Sequence, residues 1–212
     1  MDTIYLDLET TGLNAENDEI LEIAIIDNAG KILLDALIKP STARHQGPGQ
    51  WKEAEAIHGI SWAHVKRMHH LDHHRANIRE IARGRHVVIY NADFDQSFLA
   101  EELQDAGAIS CCMREYADRY FYNGHYGSGT WQRLSKAAAN VGHRPKMDEP
   151  YHRALADTRA CRSVWGAMAE GILDYRGHLI EELREYRDRG QPYAESTDLS
   201  GQKSGGYYKK NE

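Results

Sequence analysis

The sequence lacks the features that place a protein in a membrane or outside the cell. No stretch approaches the roughly 18 uninterrupted apolar residues that a membrane-spanning helix needs. The amino terminus does not show the basic-then-apolar pattern of a secretory signal peptide. Cysteine is scarce and odd in number, which favours reduced thiols over a disulfide framework; the three are Cys111, Cys112 and Cys161. We therefore expect a cytoplasmic protein that does not act at a membrane.

An excess of positive charge is also missing. The formal net charge of −6 does not by itself indicate a nucleic-acid-binding protein. It does not exclude one either, because a site for two divalent cations must carry several carboxylates. The segment from Ser61 to Tyr90 is locally basic and holds half of the twelve histidines. This segment predicts either a surface that follows phosphates or a plain solvated helix face, and the sequence leaves both open.

The length of 212 residues fits one domain with a full-sized core, or one domain plus a tail. Apolar runs predict strands at residues 4–8, 20–27, 32–38, 86–90 and 109–113. Helices are predicted at residues 52–57, 62–69, 72–83, 93–104, 114–121, 132–141, 154–169 and 172–187. A meander of three strands, followed by strands that alternate with helices, predicts a mixed α/β sheet covered by helices.

Two segments of this chain are predicted to behave differently. Residues 1–189 contain all the predicted strands and helices and are expected to form one folded domain. From residue 190 onward Gly, Ser, Lys and Tyr dominate without periodicity. Residues 190–212 are therefore predicted to be a flexible carboxyl-terminal tail.

Three short motifs carry the residues that could do chemistry. Asp7 and Glu9 close the first strand, and the alternation of a strand puts both on one face while Leu8 points into the core. Asp95 follows the fourth strand at the start of a helix. His152 precedes Asp157 by five positions, and Asp157 falls in the first turns of a late helix. A mixed sheet can gather these four carboxylates at one edge.

That set of residues suits the hydrolysis of a phosphodiester, whose transition state accumulates negative charge and expels an alkoxide. Two divalent cations about 3.5–4 Å apart can assist both the attack of water and the departure of the leaving oxygen. Mg²⁺ prefers hard oxygen ligands such as carboxylates. A histidine with an ordinary pKa suits the removal of a proton from water at neutral pH, so His152 is the candidate general base. The alternative is an exposed histidine in a polar loop.

The order, residue types and spacing of the three motifs resemble a known family. Motifs of the forms DxETTGL, NAxFDxxFL and HxAxxD match residues 7–13, 91–99 and 152–157. Over about residues 1–175 the chain resembles the DnaQ-like exonucleases of the DEDDh type. The resemblance implies a ribonuclease H-like fold, a mixed five-stranded sheet flanked by helices on both faces. It also implies stepwise 3′→5′ removal of nucleoside 5′-monophosphates.

The same resemblance assigns roles to individual residues. Two Mg²⁺ or Mn²⁺ ions would be held by the carboxylates of Asp7, Glu9, Asp95 and Asp157, with His152 as the base. Because Asp93 and Asp95 are both acidic, a choice is needed, and the family pattern selects the aspartate that follows phenylalanine. Asp93 is then predicted to cap the amino terminus of the following helix, a role that suits its residue type.

The resemblance also implies candidate contacts with the substrate. Thr10, Thr11 and Leu13 could hold the 3′ end, with Leu13 wedged against the last base. Apolar or aromatic surfaces accept any base, so Ile57, His58 and Phe94 could flank the nucleobases. Ordinary core packing is the alternative for Ile57 and Phe94. Arg144 and Lys146 are candidate phosphate contacts, and a solvated loop is their alternative.

The histidine-rich stretch from His69 to His74 has pairs at helical spacing, His69 with His73 and His70 with His74. Such pairs can chelate zinc, but no cysteine pattern accompanies them. A polar surface segment is the better interpretation.

The function that the sequence favours is a metal-dependent 3′→5′ exonuclease that acts on nucleic-acid 3′ ends. Single-stranded DNA or the frayed end of a duplex is the favoured substrate. A 3′ exoribonuclease resembling RNase T or oligoribonuclease stays open, because no feature of the sequence reads a 2′-hydroxyl group. A non-catalytic nucleic-acid-binding module on the same fold is the third alternative. The oligomeric state is not readable, and a dimer is possible.

Overall fold

Five strands form one mixed sheet in the order β3-β2-β1-β4-β5. Their bounds are Thr3–Thr10 for β1, Ile20–Asp27 for β2, Ile32–Leu37 for β3, His86–Ile89 for β4 and Ala108–Cys111 for β5. The first three strands are antiparallel neighbours, while β4 runs parallel to β1 and β5 runs parallel to β4. Each predicted strand is therefore confirmed, with ends within two residues of the prediction.

Seven α-helices accompany the sheet in the part of the chain that the structure describes. They are α1 Lys52–His58, α2 Trp62–Val65, α3 Asp72–Ala82, α4 Ala92–Phe98, α5 Cys112–Tyr120, α6 Leu134–Asn140 and α7 Ala154–Ala169. This computed structural model describes residues 1–120, 131–146, 150–174, 177, 178 and 180. Residues 1–179 form one compact unit. The tail predicted for residues 190–212 lies outside the described residues.

The sheet is covered on both faces, as predicted. One face buries Ile4, Leu6 and Leu8 of β1 against α3 and the segment that follows α4. The other face lies under α7, which contacts β1, β2 and β4. Small buried residues line α7 and let it approach the sheet closely; they are Ala154, Ala156, Ala160 and Ala167. Because side chains alternate along β1, Asp7 and Glu9 project towards α7.

Three predicted helices differ from the structure. α2 ends at Val65 rather than at residue 69, because the chain turns away and the carbonyl oxygen of His69 accepts a hydrogen bond from the amide of Lys39. α4 ends at Phe98 rather than at residue 104, where Leu99 leaves the helical conformation. The helix predicted from residue 172 is wrong at its start, since Ile172–Asp174 are not helical. The rest of that prediction lies almost entirely outside the described residues.

The end of α7 explains the last of these differences. Gly171 adopts a left-handed conformation with φ of 67°, and its amide donates to the carbonyl oxygen of Met168. The amide of Ile172 donates to Ala167. This pair of bonds is the Schellman motif, which satisfies the last carbonyl groups of a helix and turns the chain away.

The locally basic segment is largely neutralised along α3. Arg75 pairs with Asp72 and with the buried Glu102, and Arg79 pairs with Glu102 and Glu101. Arginines that are already paired attract phosphates less than unpaired ones, so the solvated helix face is the better interpretation of α3. All three cysteines are free, as predicted. Of the described helices, none combines the length and apolar character that crossing a membrane requires.

Candidate active site

Four carboxylates meet at the edge of the sheet where β1 and β4 end. Asp7 and Glu9 project from β1, Asp95 lies in α4 just after β4, and Asp157 lies in the first turn of α7. Burial and then the charges of Asp95, Asp157 and Glu9 raise the pKa of Asp7 well above its usual value. Carboxylates raise one another's pKa only when they lie close together, so the structure brings the four predicted residues to one place, and their roles stay a prediction.

Two of these carboxylates are buried, and each has one oxygen that makes no hydrogen bond among the described residues. Asp95 is only 3% exposed, and Asp157 is also buried. The described part of the chain offers no hydrogen-bond partner to the buried oxygens Asp95 Oδ1 and Asp157 Oδ1. A buried carboxylate oxygen without a donor is costly unless a proton or a cation compensates it. The cluster is therefore chemically suited to bind cations.

The protonation of the cluster points the same way. Burial, followed by the charges of Asp157 and Glu22, raises the pKa of Glu9 to about 8. Burial raises the pKa of Asp95 to about 8 against hydrogen bonds from the backbone amides of Asp95 and Leu8. Burial also raises the pKa of Asp157 to about 6. Without a cation, the cluster thus retains protons at a pH where isolated carboxyl groups have lost them.

We expect the stability of the metal-free protein to fall as pH rises from about 4 to about 8. A carboxyl group with a raised pKa binds more protons when folded than when unfolded. Its stabilising contribution is therefore complete below the unfolded pKa and is lost as pH rises through the folded pKa. The guanidinium group of Arg153 beside the cluster lowers the pKa of Glu9 and so reduces this slope.

Thermal melting with EDTA at pH 5 and pH 8 measures this dependence. The expected result is a lower Tm at pH 8 and a rise in Tm on addition of Mg²⁺ that is larger at pH 8 than at pH 5. A Tm in EDTA that increases between these two pH values would contradict the assigned proton uptake.

His152 lies directly beside the cluster, held by an unusual backbone. Its φ of 63° is the one left-handed value among the described non-glycine residues. The amide of His152 donates to Asp157 Oδ2 at 3.2 Å. One ring nitrogen of His152, one oxygen of Glu9 and one oxygen of Asp157 lie within 4.8 Å of one another. Strained backbone persists where the surrounding structure fixes it, often at functional sites. Its action as a general base stays a prediction.

The loop after β1 is shaped by its two threonines. Thr10 Oγ1 donates to the carbonyl oxygen of Gly12 at 2.6 Å, and Thr11 Oγ1 donates to Asp18 Oδ1 at 3.2 Å. A Cβ on Gly12 would lie 2.5 Å from the Asp18 carboxylate, so a larger residue there would have to displace that carboxylate from Thr11. Both hydroxyl groups are thus used inside the loop, and a direct contact with a substrate stays a prediction. Leu13, in contrast, is 86% exposed.

The other predicted substrate contacts also include both exposed side chains and side chains that are already bonded inside the protein. Ile57 is 62% exposed, which excludes core packing as its role. His58 is buried; its Nε2 donates to the carbonyl oxygen of Thr10 and its Nδ1 accepts from the amide of Ile60. His58 thereby ties α1 to the end of β1 and brings Ile57 to the same edge. Phe94 is half-buried and packs against Phe98 with ring centroids 5.2 Å apart.

Arg144 and Lys146 are exposed on the segment between α6 and α7. That segment leads to His152, so both residues lie near the cluster in sequence. Contact with phosphate stays a prediction for each of them.

Asp93 is not the cap of α4, and this prediction was wrong. Asn91 occupies the capping position, while Asp93 lies one residue inside the helix and forms an ion pair with Arg114. Asp93 is therefore exposed and paired outside the cluster, whereas Asp95 is inside it. The choice of Asp95 over Asp93 agrees with this placement.

The rings of the histidine-rich stretch pack mainly against one another. The rings of His69 and His73 stack with centroids 4.0 Å apart, and His74 meets His73 edge-on. Stacked rings do not aim their nitrogens at a common point. The polar surface interpretation is therefore preferred.

Sequence reasoning missed two residues beside the cluster, Glu22 and Arg153. Glu22 is a buried carboxylate on β2, opposite Glu9 in the strand register. Glu22 could have been noticed in the sequence because it is the one charged residue in the otherwise apolar run of residues 20–26. A charge in a central strand requires a partner. The partner, Arg153, could not be recognised because it lies far away in the chain.

Comparison with known families identifies this arrangement. A sequence model described as RNase T, exonuclease, matches residues 4–164. The chain belongs to this exonuclease family. An uncharacterized exonuclease of Escherichia phage 186, CP81, is 32% identical over 182 residues, which cover 80% of this chain and 89% of that protein. The resemblance to DnaQ-like exonucleases is confirmed, and the protein is a hydrolytic nuclease.

Solved exonuclease structures share the fold. Exonuclease X, in complex with 5′ overhanging duplex DNA, superposes with a TM-score of 0.57 at 22% identity, over 84% of this chain and 97% of that one. Exonuclease I from Methylocaldum szegediense gives a TM-score of 0.60 at 22% identity, over 80% of this chain and 40% of that one. These likenesses confirm the predicted ribonuclease H-like sheet of this exonuclease.

Proposed function

We propose that this exonuclease removes nucleoside 5′-monophosphates from the 3′ ends of DNA, single-stranded or frayed, by a mechanism that uses two divalent cations. The observation that carries this proposal is the convergence of four carboxylates and one imidazole at a single edge of the sheet. Support for DNA comes from two structural neighbours, solved with 5′ overhanging duplex DNA and with a dT13 oligonucleotide.

The donor set fits Mg²⁺ or Mn²⁺. Asp7, Glu9, Asp95 and Asp157 offer hard oxygen ligands, and two of them keep a buried oxygen without a hydrogen-bond partner among the described residues. When bound, two such cations polarise the attacking water and offset the charge on the leaving oxygen.

The protein's own residues perform the remaining tasks. The ring nitrogen of His152 that faces Glu9 and Asp157 can take the proton of the attacking water. The hydrogen bond from the His152 amide to Asp157 fixes the distance between the base and the carboxylates. On the outer side, Leu13 and Ile57 present apolar surface against which a terminal base can stack.

Chemically defined oligonucleotides test this proposal. A 5′-labelled single-stranded DNA and the RNA of the same sequence are incubated with Mg²⁺ or Mn²⁺, with EDTA as the control. We expect a ladder of products that shortens from the 3′ end, together with nucleoside 5′-monophosphates. Faster cleavage of RNA would reassign the substrate class to an exoribonuclease. If both strands survive with either cation, the proposed function is wrong.

Replacement of Leu13 and Ile57 by alanine together should weaken the binding of the 3′ end. Loss of base stacking costs roughly 1–3 kcal/mol per base, so KM for a single-stranded oligonucleotide should rise about tenfold or more. The value of kcat should change little, because both side chains are exposed and carry no group that could bind a cation or move a proton. Ile32→Ala is the matched control, since Ile32 is another exposed isoleucine but lies on β3. Equal KM values for the double variant and the control would refute this contact.

A further inference from the structure

A buried glutamate beside the cluster has no role in the family motifs quoted above. Glu22 is 4% exposed and lies on β2, directly across from Glu9 on β1. Its side chain therefore projects from the same face of the sheet as the cluster. Its charge is one of those that raise the pKa of Glu9. A fifth carboxylate at this position adds repulsion, so it requires a compensating function.

Glu22 is fully engaged with the start of α7. Arg153 Nε lies 3.2 and 3.0 Å from its two oxygens, and Arg153 Nη2 donates to Oε1 at 2.5 Å. The amide of Ala154 donates to Oε2 at 2.9 Å. Ala154 is the first residue of α7. The Glu22 carboxylate on β2 thus accepts hydrogen bonds from two nitrogens of the planar guanidinium group of Arg153. It also accepts one from the amide of Ala154, which has no partner within α7.

This clamp, Glu22 with Arg153 and the amide of Ala154, sits between two parts of the active site. Arg153 immediately follows His152, and Asp157 lies one turn further into α7. His152 needs a left-handed backbone that costs free energy, so neighbouring contacts must hold it. The clamp fixes the next residue to β2, and the His152 amide is fixed to Asp157.

We propose that the Glu22–Arg153 clamp is a positioning device that sets His152 and Asp157 against Asp7 and Glu9. The proposal rests on the proposed function for its catalytic consequence. The ion pair is weak support for stability, because desolvation of the buried Glu22 and solvent screening of the 42% exposed Arg153 offset its attraction. The clamp matters more for geometry than for stability. It joins β2, the neighbour of β1, to Arg153, which directly follows the candidate base His152. Displacement of a catalytic group by about 1 Å can cost about 100-fold in rate.

Glu22→Gln keeps the volume but removes the charge that holds Arg153. Removal of a residue that holds metal ligands in place without touching the metal typically costs about 10- to 100-fold in activity or metal affinity. We expect kcat to fall by about that factor, the Mn²⁺ concentration for half-maximal rate to rise, and KM for the oligonucleotide to stay within about threefold. A second variant, Arg153→Lys, keeps the charge but loses the two-point bond, and should lower kcat in the same direction.

Arg162→Met is the matched control on the same helix. Arg162 also ties α7 to the β-sheet, through a bond from Nε to the carbonyl oxygen of Asn28, but at the end away from the cluster. The kcat of the Arg162→Met variant should stay close to that of the parent. The double variant Glu22→Gln/Arg153→Lys should lose little more than Glu22→Gln alone, because both changes break one interaction. Circular dichroism and Tm confirm folding; if Glu22→Gln does not fold, Arg153→Lys decides.

A readout independent of hydrolysis separates this inference from the proposed function. Amide hydrogen exchange of residues 152–158 in metal-free protein should accelerate in Glu22→Gln and stay unchanged in Arg162→Met. If the parent cleaves no oligonucleotide but the exchange difference is present, the proposed function fails and the clamp stands. Folded clamp variants with parental exchange and with kcat and Mn²⁺ dependence within about threefold of the parent would overturn the clamp. An equal loss of kcat in Arg162→Met would overturn it as well.

Discussion

Asp7→Asn is expected to abolish hydrolysis while the protein still folds. Asp7 lies at the centre of the cluster, where burial and then the charges of four other carboxylates raise its pKa, so its oxygens face the space that the cations would fill. Loss of a residue that itself binds a cation should lower the rate by more than the roughly 10- to 100-fold that is typical for loss of a residue that only supports such a ligand. Because the change also removes repulsion, the Tm of the metal-free variant should equal or exceed that of the parent. Initial rates on labelled DNA and melting in EDTA measure both effects.

A pair of aspartates provides the control for this experiment. Asp95 lies inside the cluster and Asp93 lies outside it, paired with Arg114, although both belong to the first turn of α4. Asp95→Asn should behave like Asp7→Asn, whereas Asp93→Asn should keep activity within about threefold of the parent. Parental turnover in Asp7→Asn would refute the assignment of the cluster. Equal losses in both α4 variants would remove the distinction between the two aspartates.

His152→Asn should lower kcat by roughly 10²- to 10⁴-fold, the range that a positioned general base contributes. Asparagine tolerates the left-handed backbone better than most residues, so the change removes the imidazole with little disturbance of the loop. KM for the oligonucleotide should stay near the parental value, since His152 faces Glu9 and Asp157 rather than the exposed apolar surface. Steady-state kinetics on a defined oligonucleotide give both constants.

His143→Ala is the matched control for His152. His143 also precedes α7, but its Nδ1 bonds to Ser163 Oγ in the third turn of that helix. Activity of this variant should stay close to that of the parent. If His152→Asn retains parental kcat, the proton must leave the attacking water by another route and the role assigned to His152 is wrong.

Much of the fold was readable because local patterns agreed with the tertiary structure. β2 and α7 lie at the predicted bounds, because an apolar run broken only by Glu22 favours a buried strand and the composition of residues 154–169 favours a helix. The carboxylates of β1 were predicted to share a face because the strand period is two. Their convergence with Asp157 followed from the order of the elements in a mixed sheet.

The remaining features depend on contacts that the sequence does not display. α4 ends early because Leu99 leaves the helix to pack in the core, although its apolar spacing continues. Asp93 has the residue type of a helix cap, yet a pair with Arg114 determines its position. Glu22 and Arg153 meet across 131 positions of the chain. No local signal specifies such a partner, so only the folded structure reveals the clamp.

The most direct test of the central claim is to locate cations in crystals of the protein soaked with Mn²⁺ and a nucleoside 5′-monophosphate. Anomalous scattering identifies the metal positions without reference to activity. The account predicts two peaks about 3.5–4 Å apart, within bonding distance of Asp7, Glu9, Asp95 and Asp157. Peaks elsewhere on the protein, with these carboxylates bonded only to water or protons, would contradict it.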